Sequence, residues 1–178
     1  HFLDNNNIFL LSKCVSLGII DCLNNLVENK KNLIKWPNDI LIDNEKAAGI
    51  LIENVWNGNE IKHSLTGIGL NVLNEEFNEE NITSLKKCGL ELLPFQAMQE
   101  LTPHIESWYR ELTLGNYEKI NERYLQELYG YREKVSFVKN EKTYKGVIEN
   151  VDNDGKIHFK SVEGAYIEAY FKEIEIKI

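Results

Sequence analysis

Hydrophobic and polar positions follow three successive regimes along this chain. From about Ile8 to Glu28, the apolar residues Phe9, Leu10, Leu11, Cys14, Val15, Leu17, Ile19, Ile20, Cys22, Leu23, Leu26 and Val27 cover far more than one helical stripe. Such a pattern predicts a helix buried at the centre of a domain. Asn5-Asn6-Asn7 offers capping side chains before it, and Phe2 and Leu3 read as the end of a strand. Gly18 and Ser16 leave room for another element to approach. Residues 32–73 then switch to short apolar runs and alternation, which predicts an antiparallel meander. Its strands are Leu33-Ile34-Lys35, Ile40-Leu41-Ile42, Lys46 to Trp56 and Glu60 to Val72, with a hairpin signal at Asn57-Gly58. Helical spacing returns from Phe95 to about Leu114, with Met98, Leu101, Ile105, Trp108 and Leu112 on one face. Pro94 suits a first helical position, while Pro103 is expected to kink or split the helix. A further helix is predicted over Tyr117 to Tyr129.

After Gly130 the pattern becomes short strands: Val135 to Val138, Tyr144 to Ile148, Lys156 to Phe159, Ala169-Tyr170-Phe171 and the alternating Ile174 to Ile178. Turns fall at Asn140-Glu141, Asp152 to Gly155 and Glu163-Gly164. This spacing suggests a small all-β barrel. The fold class expected is therefore α+β, a mixed or antiparallel sheet packed with helices over 1–130 and a small β module over 131–178. Between them, Asn74 to Asn81 reads as an acidic solvated loop, and Ser84 as the cap of a short helix from Leu85 to Cys88 that stops at Gly89.

Composition narrows the classes. A chain of 178 residues with 43% hydrophobic content can build one good core. A formal net charge of −8 argues against nucleic-acid binding, so no DNA partner is expected. The three cysteines form no pair with metal-ligand spacing. Cys14 and Cys22 read as buried thiols, which fits a reducing cytoplasm. No apolar run reaches the length of a membrane span.

The chemistry concentrates in the meander. Lys35-Trp36-Pro37-Asn38-Asp39 ends one strand and turns, and Lys46 returns antiparallel towards the Asn38/Asp39 corner. A cation, an amide and a carboxylate at one hairpin end suit activation of a carboxylic acid by a nucleotide. An ammonium would stabilise the charge that builds on an α-phosphate. A carboxylate could hold Mg²⁺ or position an amine. The same run also reads as a plain turn with a packed tryptophan and a solvated lysine. Gly67 and Gly69 within one strand mark a bulge or a close approach, and a packing role is the other reading of them.

Three blocks, Lys35-Trp36-Pro37-Asn38-Asp39, Lys46-Ala47-Ala48-Gly49-Ile50-Leu51-Ile52-Glu53 and Gly67-Ile68-Gly69-Leu70-Asn71, resemble in order and spacing the core of biotin–protein ligase. Ile82-Thr83-Ser84-Leu85 resembles the segment that follows, and the C-terminal module resembles that family's SH3-like β-barrel. Lys172-Glu173-Ile174 stands where Gly-Glu-Ile is common. The resemblance implies ATP-dependent attachment of biotin, through biotinyl-5′-AMP, to a lysine of a biotin carboxyl carrier protein. It implies Lys46 as the charge-stabilising residue, and Asp39 as metal holder and orienter of the acceptor amine. Asn38, Asn71 and Lys35 fall on the nucleotide side, and Gly49, Leu51, Gly67, Gly69, Leu70 and Trp36 at the biotin wall. ATP and biotin are the implied substrates with Mg²⁺, and a homodimer is possible. The Ser/Thr-rich segment and Gly/Arg-rich loop found upstream in the family have no counterpart here, and the start at His1 fits a fragment. These residues alone are therefore expected not to form the adenylate at a normal rate. A lipoate–protein ligase, or a non-catalytic protein holding biotin or a carrier, are the alternatives.

Overall fold

The computed structural model describes every residue except 1, 2, 5 and 59, so the expected strand end at Phe2 and cap at Asn5 lie outside the described residues. Helix α1 spans Leu10–Leu26 and is buried on most faces, as its composition requires. Its N-cap is Phe9, which makes no side-chain cap. The Asn7 side chain instead bonds Asp4 and Asn153, so Asn7 does not cap the helix.

Strands β1 (Asn32–Lys35), β2 (Asp39–Ile42), β3 (Glu45–Asn57) and β4 (Glu60–Leu70) form one antiparallel sheet in the order β1-β2-β3-β4. Helix α1 packs against it, with Ile34, Ile40 and Ala48 in the shared core. Helix α2 (Pro94–Thr113) lies against α1 at Gly18, where an added Cβ would stand 2.8 Å from the Ile105 backbone. Pro103 sits inside α2 without splitting it. Helix α3 (Tyr117–Gln126) ends three residues before the sequence pattern does. The chain leaves the helix there to bond β1: Ile34 N–H donates to Glu127 O at 2.8 Å and Tyr129 N–H to Ile34 O at 2.7 Å. The Ser84 hydroxyl accepts from Lys87 N–H at 3.2 Å, but it closes a single turn and not a helix.

Strands β5 (Lys134–Lys139), β6 (Lys142–Val151), β7 (Ile157–Ser161), β8 (Tyr166–Ala169) and β9 (Ile174–Ile176) form a second antiparallel sheet, in the order β8-β7-β6-β5-β9. The strand expected at Ala169-Tyr170-Phe171 is displaced. Tyr166–Ala169 pairs with β7, and Tyr170 to Glu173 form the following turn. The β6–β7 turn is seated against the first half of the chain. Trp36 Nε1–H donates to Gly155 O at 3.0 Å, and Phe9 N–H to Asn153 O at 2.8 Å. Lys13 is fully buried beside them, donating to Val151 O at 2.6 Å and to Asn121 Oδ1 at 2.7 Å. An ammonium there needs both partners, because an unpaired buried charge is costly. No helix of the described residues is long and apolar enough to cross a membrane.

Candidate active site

The corner begins with β1 and β2. Lys35 is paired with Asp39, and Asp39 with Gly49 on β3, so all three share one sheet face. Lys46 is three residues from Gly49, and a regular strand would send it to the opposite face. A bulge in β3 intervenes: Ile40 faces Ala48, but Leu41 faces Lys46, leaving Ala47 as the extra residue. The extra residue reverses the alternation and brings Lys46 back to the side of Asp39. Lys46 Nζ then lies 2.7 Å from Asp39 Oδ1. The backbone of Lys46 is pinned on its other edge: its N–H donates to Asn81 O at 2.8 Å, and its carbonyl accepts from Thr83 N–H at 2.9 Å.

Beyond the corner the sheet presents a floor without side chains. Gly49 is opposite Gly69 and Leu51 is opposite Gly67, all on the face of Asp39. A Cβ at Gly49 would meet Asp39 Oδ1 at 3.7 Å and Lys46 Nζ at 3.8 Å. Cβ atoms at Gly67 and Gly69 would meet only carbonyl oxygens, at 3.8 Å. These are ordinary contacts, so packing does not demand glycine at any of the three positions. What glycine provides is a flat approach to the backbone. Leu51, 63% exposed, borders this floor.

The structure therefore brings together Lys35, Asp39, Lys46, Gly49, Leu51, Gly67 and Gly69. Asn38 adjoins them, but its Nδ2 donates to Ile50 O at 2.9 Å. Asn71 follows Gly69 at the strand end, with Nδ2 donating to Thr83 O at 3.1 Å. Two residues stand elsewhere. Leu70 is opposite Ala48 and packs on the core side of the sheet. Trp36 is 3% exposed and turned towards Gly155, and its peptide bond to Pro37 is cis.

A cavity of about 380 Å³ opens at the corner. Lys35, Asp39 and Lys46 line it on one side, and Glu79, Glu80 and the C-terminal segment with Glu175 and Lys177 on the other. Burial lowers the pKa of the Lys35 ammonium, while Asp39 and Glu175 work against that shift. The contribution of Glu175 and Lys177 was not legible in the sequence, where they read only as alternating strand residues. A second cavity of about 450 Å³, between α1, α2 and β4, is walled mainly by apolar residues such as Leu11, Val15 and Ile68 and lacks the cation–carboxylate pair. Among the described residues, no group of three or more His, Cys, Asp or Glu side chains could hold a metal.

Residues 1–71 match the model of the Biotin/lipoate A/B protein ligase family. That stretch is about two fifths of the chain and includes the Lys35-to-Asp39 corner and Lys46. Curated relatives include a Biotin--[acetyl-CoA-carboxylase] ligase of Paracoccus denitrificans, 24% identical over 75% of this chain and 59% of its own length. Another is the Bifunctional ligase/repressor BirA of Bacillus subtilis (strain 168), 27% identical over 80% of this chain and 46% of its own. The chain thus spans about half the length of the curated biotin ligase relatives it matches. Among solved structures, the apo biotin protein ligase of Aquifex aeolicus superposes with a TM-score of 0.75 at 19% identity, covering 96% of this chain and 76% of that one. The same enzyme in complex with biotin and ATP gives a TM-score of 0.74 at 20% identity, covering 96% and 72%. The chain shares the α+β fold of these structures.

Proposed function

We propose that the chain carries the activation and transfer site of a biotin–protein ligase. The observation that carries this reading is the Lys46–Asp39 pair, 2.7 Å apart, at the head of a glycine-floored sheet face. In the first step a biotin carboxylate oxygen attacks the α-phosphorus of ATP. The bond to the β-phosphate oxygen breaks, pyrophosphate leaves, and biotinyl-5′-AMP remains. Lys46 neutralises the charge shared by carboxylate and α-phosphate, and Lys35 adds positive charge at the cavity, while Lys177 is paired with Glu175 at 2.6 Å. In the second step the amine of a lysine on a biotin carboxyl carrier domain attacks the acyl carbon. The carbon–oxygen bond to phosphate breaks, AMP leaves with the electron pair, and Asp39 receives the amine proton.

Mg²⁺ usually takes one or two carboxylates plus substrate phosphates, and a single free edge of Asp39 fits that mode. Asp39 would hold the ion, which would offset phosphate charge. The names of the curated relatives, and the Aquifex enzyme solved with biotin and ATP, support biotin as the acid. The matched family also covers lipoate ligases, which keeps lipoate as a second substrate to test.

The test is biotin-dependent exchange of pyrophosphate into ATP by the full-length protein. Lys46→Ala should lower it about 10²–10³-fold, the usual loss for a donor aimed at developing charge. Wild-type protein that exchanges with lipoate but not biotin would move the reading to lipoate. A Lys46→Ala variant as fast as wild type would end it.

A further inference from the structure

We infer that the acceptor lysine reaches the site through an apolar cleft at the edge of β3, and that Phe171 of the C-terminal sheet sets its selectivity for an alkylamine arm. This rests on the ligase reading of the Lys46 corner. The β2 strand pairs with β3 only as far as Gly49. Asn38 adds one last rung, accepting from Ile50 N–H at 2.9 Å and donating through Nδ2 to Ile50 O at 2.9 Å. Past that rung, no strand among the described residues pairs with β3 on this side, and a cleft of about 220 Å³ opens. Its walls include Phe9, Pro37, Leu51, Ile52 and Phe171, with Ser12 and Asn38 as the polar residues among them. Phe171 comes from the β8–β9 turn and is 56% exposed, a large aromatic that forms a wall of the cleft and not part of the core.

The chemistry of the cleft is graded. Apolar side chains form most of the walls, and Asn38, which lines the cleft, directly precedes Asp39 in the chain. Leu51 lies two residues from Gly49, about 7 Å along the strand, and Gly49 lies under the Asp39–Lys46 pair. That is about the reach of the four-carbon stem of lysine. The methylenes match the walls, and the amine meets the carboxylate that complements its charge and takes its proton. The glycine floor is open from above, whereas this cleft enters from the strand edge. The acyl group and the nucleophile can therefore approach from different directions.

The experiment uses the full-length protein with biotin, ATP and simple amines in place of the carrier. Methylamine and n-butylamine have similar basicity and differ by three methylenes. Transfer to each is read as the corresponding biotinamide by mass spectrometry. A cleft open on one side should recover about half of the transfer term per methylene, giving about a tenfold preference for butylamine. Phe171→Ala should bring the ratio close to one, and Phe171→Leu should keep most of it. Because each protein is compared with its own methylamine rate, a partly folded variant does not mimic the effect. Wild-type protein with a ratio near one overturns the cleft, as does an unchanged ratio in Phe171→Ala. Missing biotin-dependent pyrophosphate exchange would overturn the ligase reading instead.

Discussion

Lys13→Met tests whether a buried charge is being tolerated at the junction of α1, α3 and the β6–β7 turn. Methionine keeps the length of the side chain and removes the ammonium. In the folded protein, burial lowers the Lys13 pKa from 10.5 to about 8, against the pull of Asp152 and Asp154. A fall of that size corresponds to about 3 kcal/mol, at about 1.4 kcal/mol per tenfold change in proton affinity. The unfolded chain binds the proton more tightly, so stability rises with pH across the window between the two values. Below about pH 8, Lys13 is charged in both states and the cost is paid in full. Above about pH 10.5 it is neutral in both states and the cost is gone. The variant lacks this dependence, but it strands Asn121 Oδ1 and Val151 O, each a loss of about 1–3 kcal/mol. The two proteins should therefore have similar stability near neutral pH, with wild type pulling ahead by about 3 kcal/mol at about pH 10.5. Urea unfolding of both proteins at the two pH values measures this. Cys22, pushed up to about 11 by burial, titrates in both and drops out of the difference; Cys14, pushed up to about 12 by burial against the pull of Lys13, starts to ionise only at the upper end of the window. A wild-type-minus-variant difference that does not change with pH would refute the reasoning.

The glycines should separate by role. Gly49→Ala and Gly67→Ala meet only ordinary contacts, so thermal unfolding should stay within about 0.5 kcal/mol of wild type while biotin affinity by calorimetry falls. Gly146→Ala would place a Cβ 2.9 Å from Lys160 O, and Gly18→Ala one 2.8 Å from the Ile105 backbone. Each should lose about 1–3 kcal/mol in urea titration, the usual cost of overpacking. Trp36→Phe removes the bond to Gly155 O and should lower stability by about 1–3 kcal/mol, because a buried acceptor is left unmet; an unchanged midpoint would mean that water replaces the indole.

Much of the architecture was legible because it is local. The meander is written in short apolar runs separated by Asp43-Asn44 and Asn57-Gly58, and the α+β class follows from the change of period after Val72. The return of Lys46 to the Asp39 corner was legible from the antiparallel hairpin, but the bulge that delivers it was not. The alternation of β3 taken alone puts Lys46 on the wrong face; the bulge at Ala47 is set by pairing with β2. Trp36 reads as a wall residue beside the turn, yet its partner Gly155 is 119 residues away. Helix α3 looks longer in sequence than it is because Leu128 is apolar either as helix or as the residue that bridges Ile34. The β8 strand slipped for a similar reason. Ala169-Tyr170-Phe171 has strand composition, but the tight turn at 162–165 sets the register with β7 before those residues are reached. Lys13 gives no signal at all, since a lone lysine among apolar residues usually snorkels to water.

The contacts that seat the β6–β7 turn also impose an order on synthesis. A ribosome delivers the Lys35-to-Asp39 corner well before its partners: the carbonyl that receives the Trp36 indole belongs to a residue 119 positions later, and the one that receives the Lys13 ammonium lies 138 positions after that lysine. Contacts of such separation form late, since the loop they close must first be long enough and free to search. A nascent chain stalled before Val151 would hold the helices and the meander while leaving a tryptophan and a buried cation without their partners. That is the kind of intermediate chaperones retain. Completion of the corner thus waits for the synthesis of the β6–β7 turn, and pulse-labelled nascent chains should gain protease resistance at Trp36 only once that turn has cleared the exit tunnel.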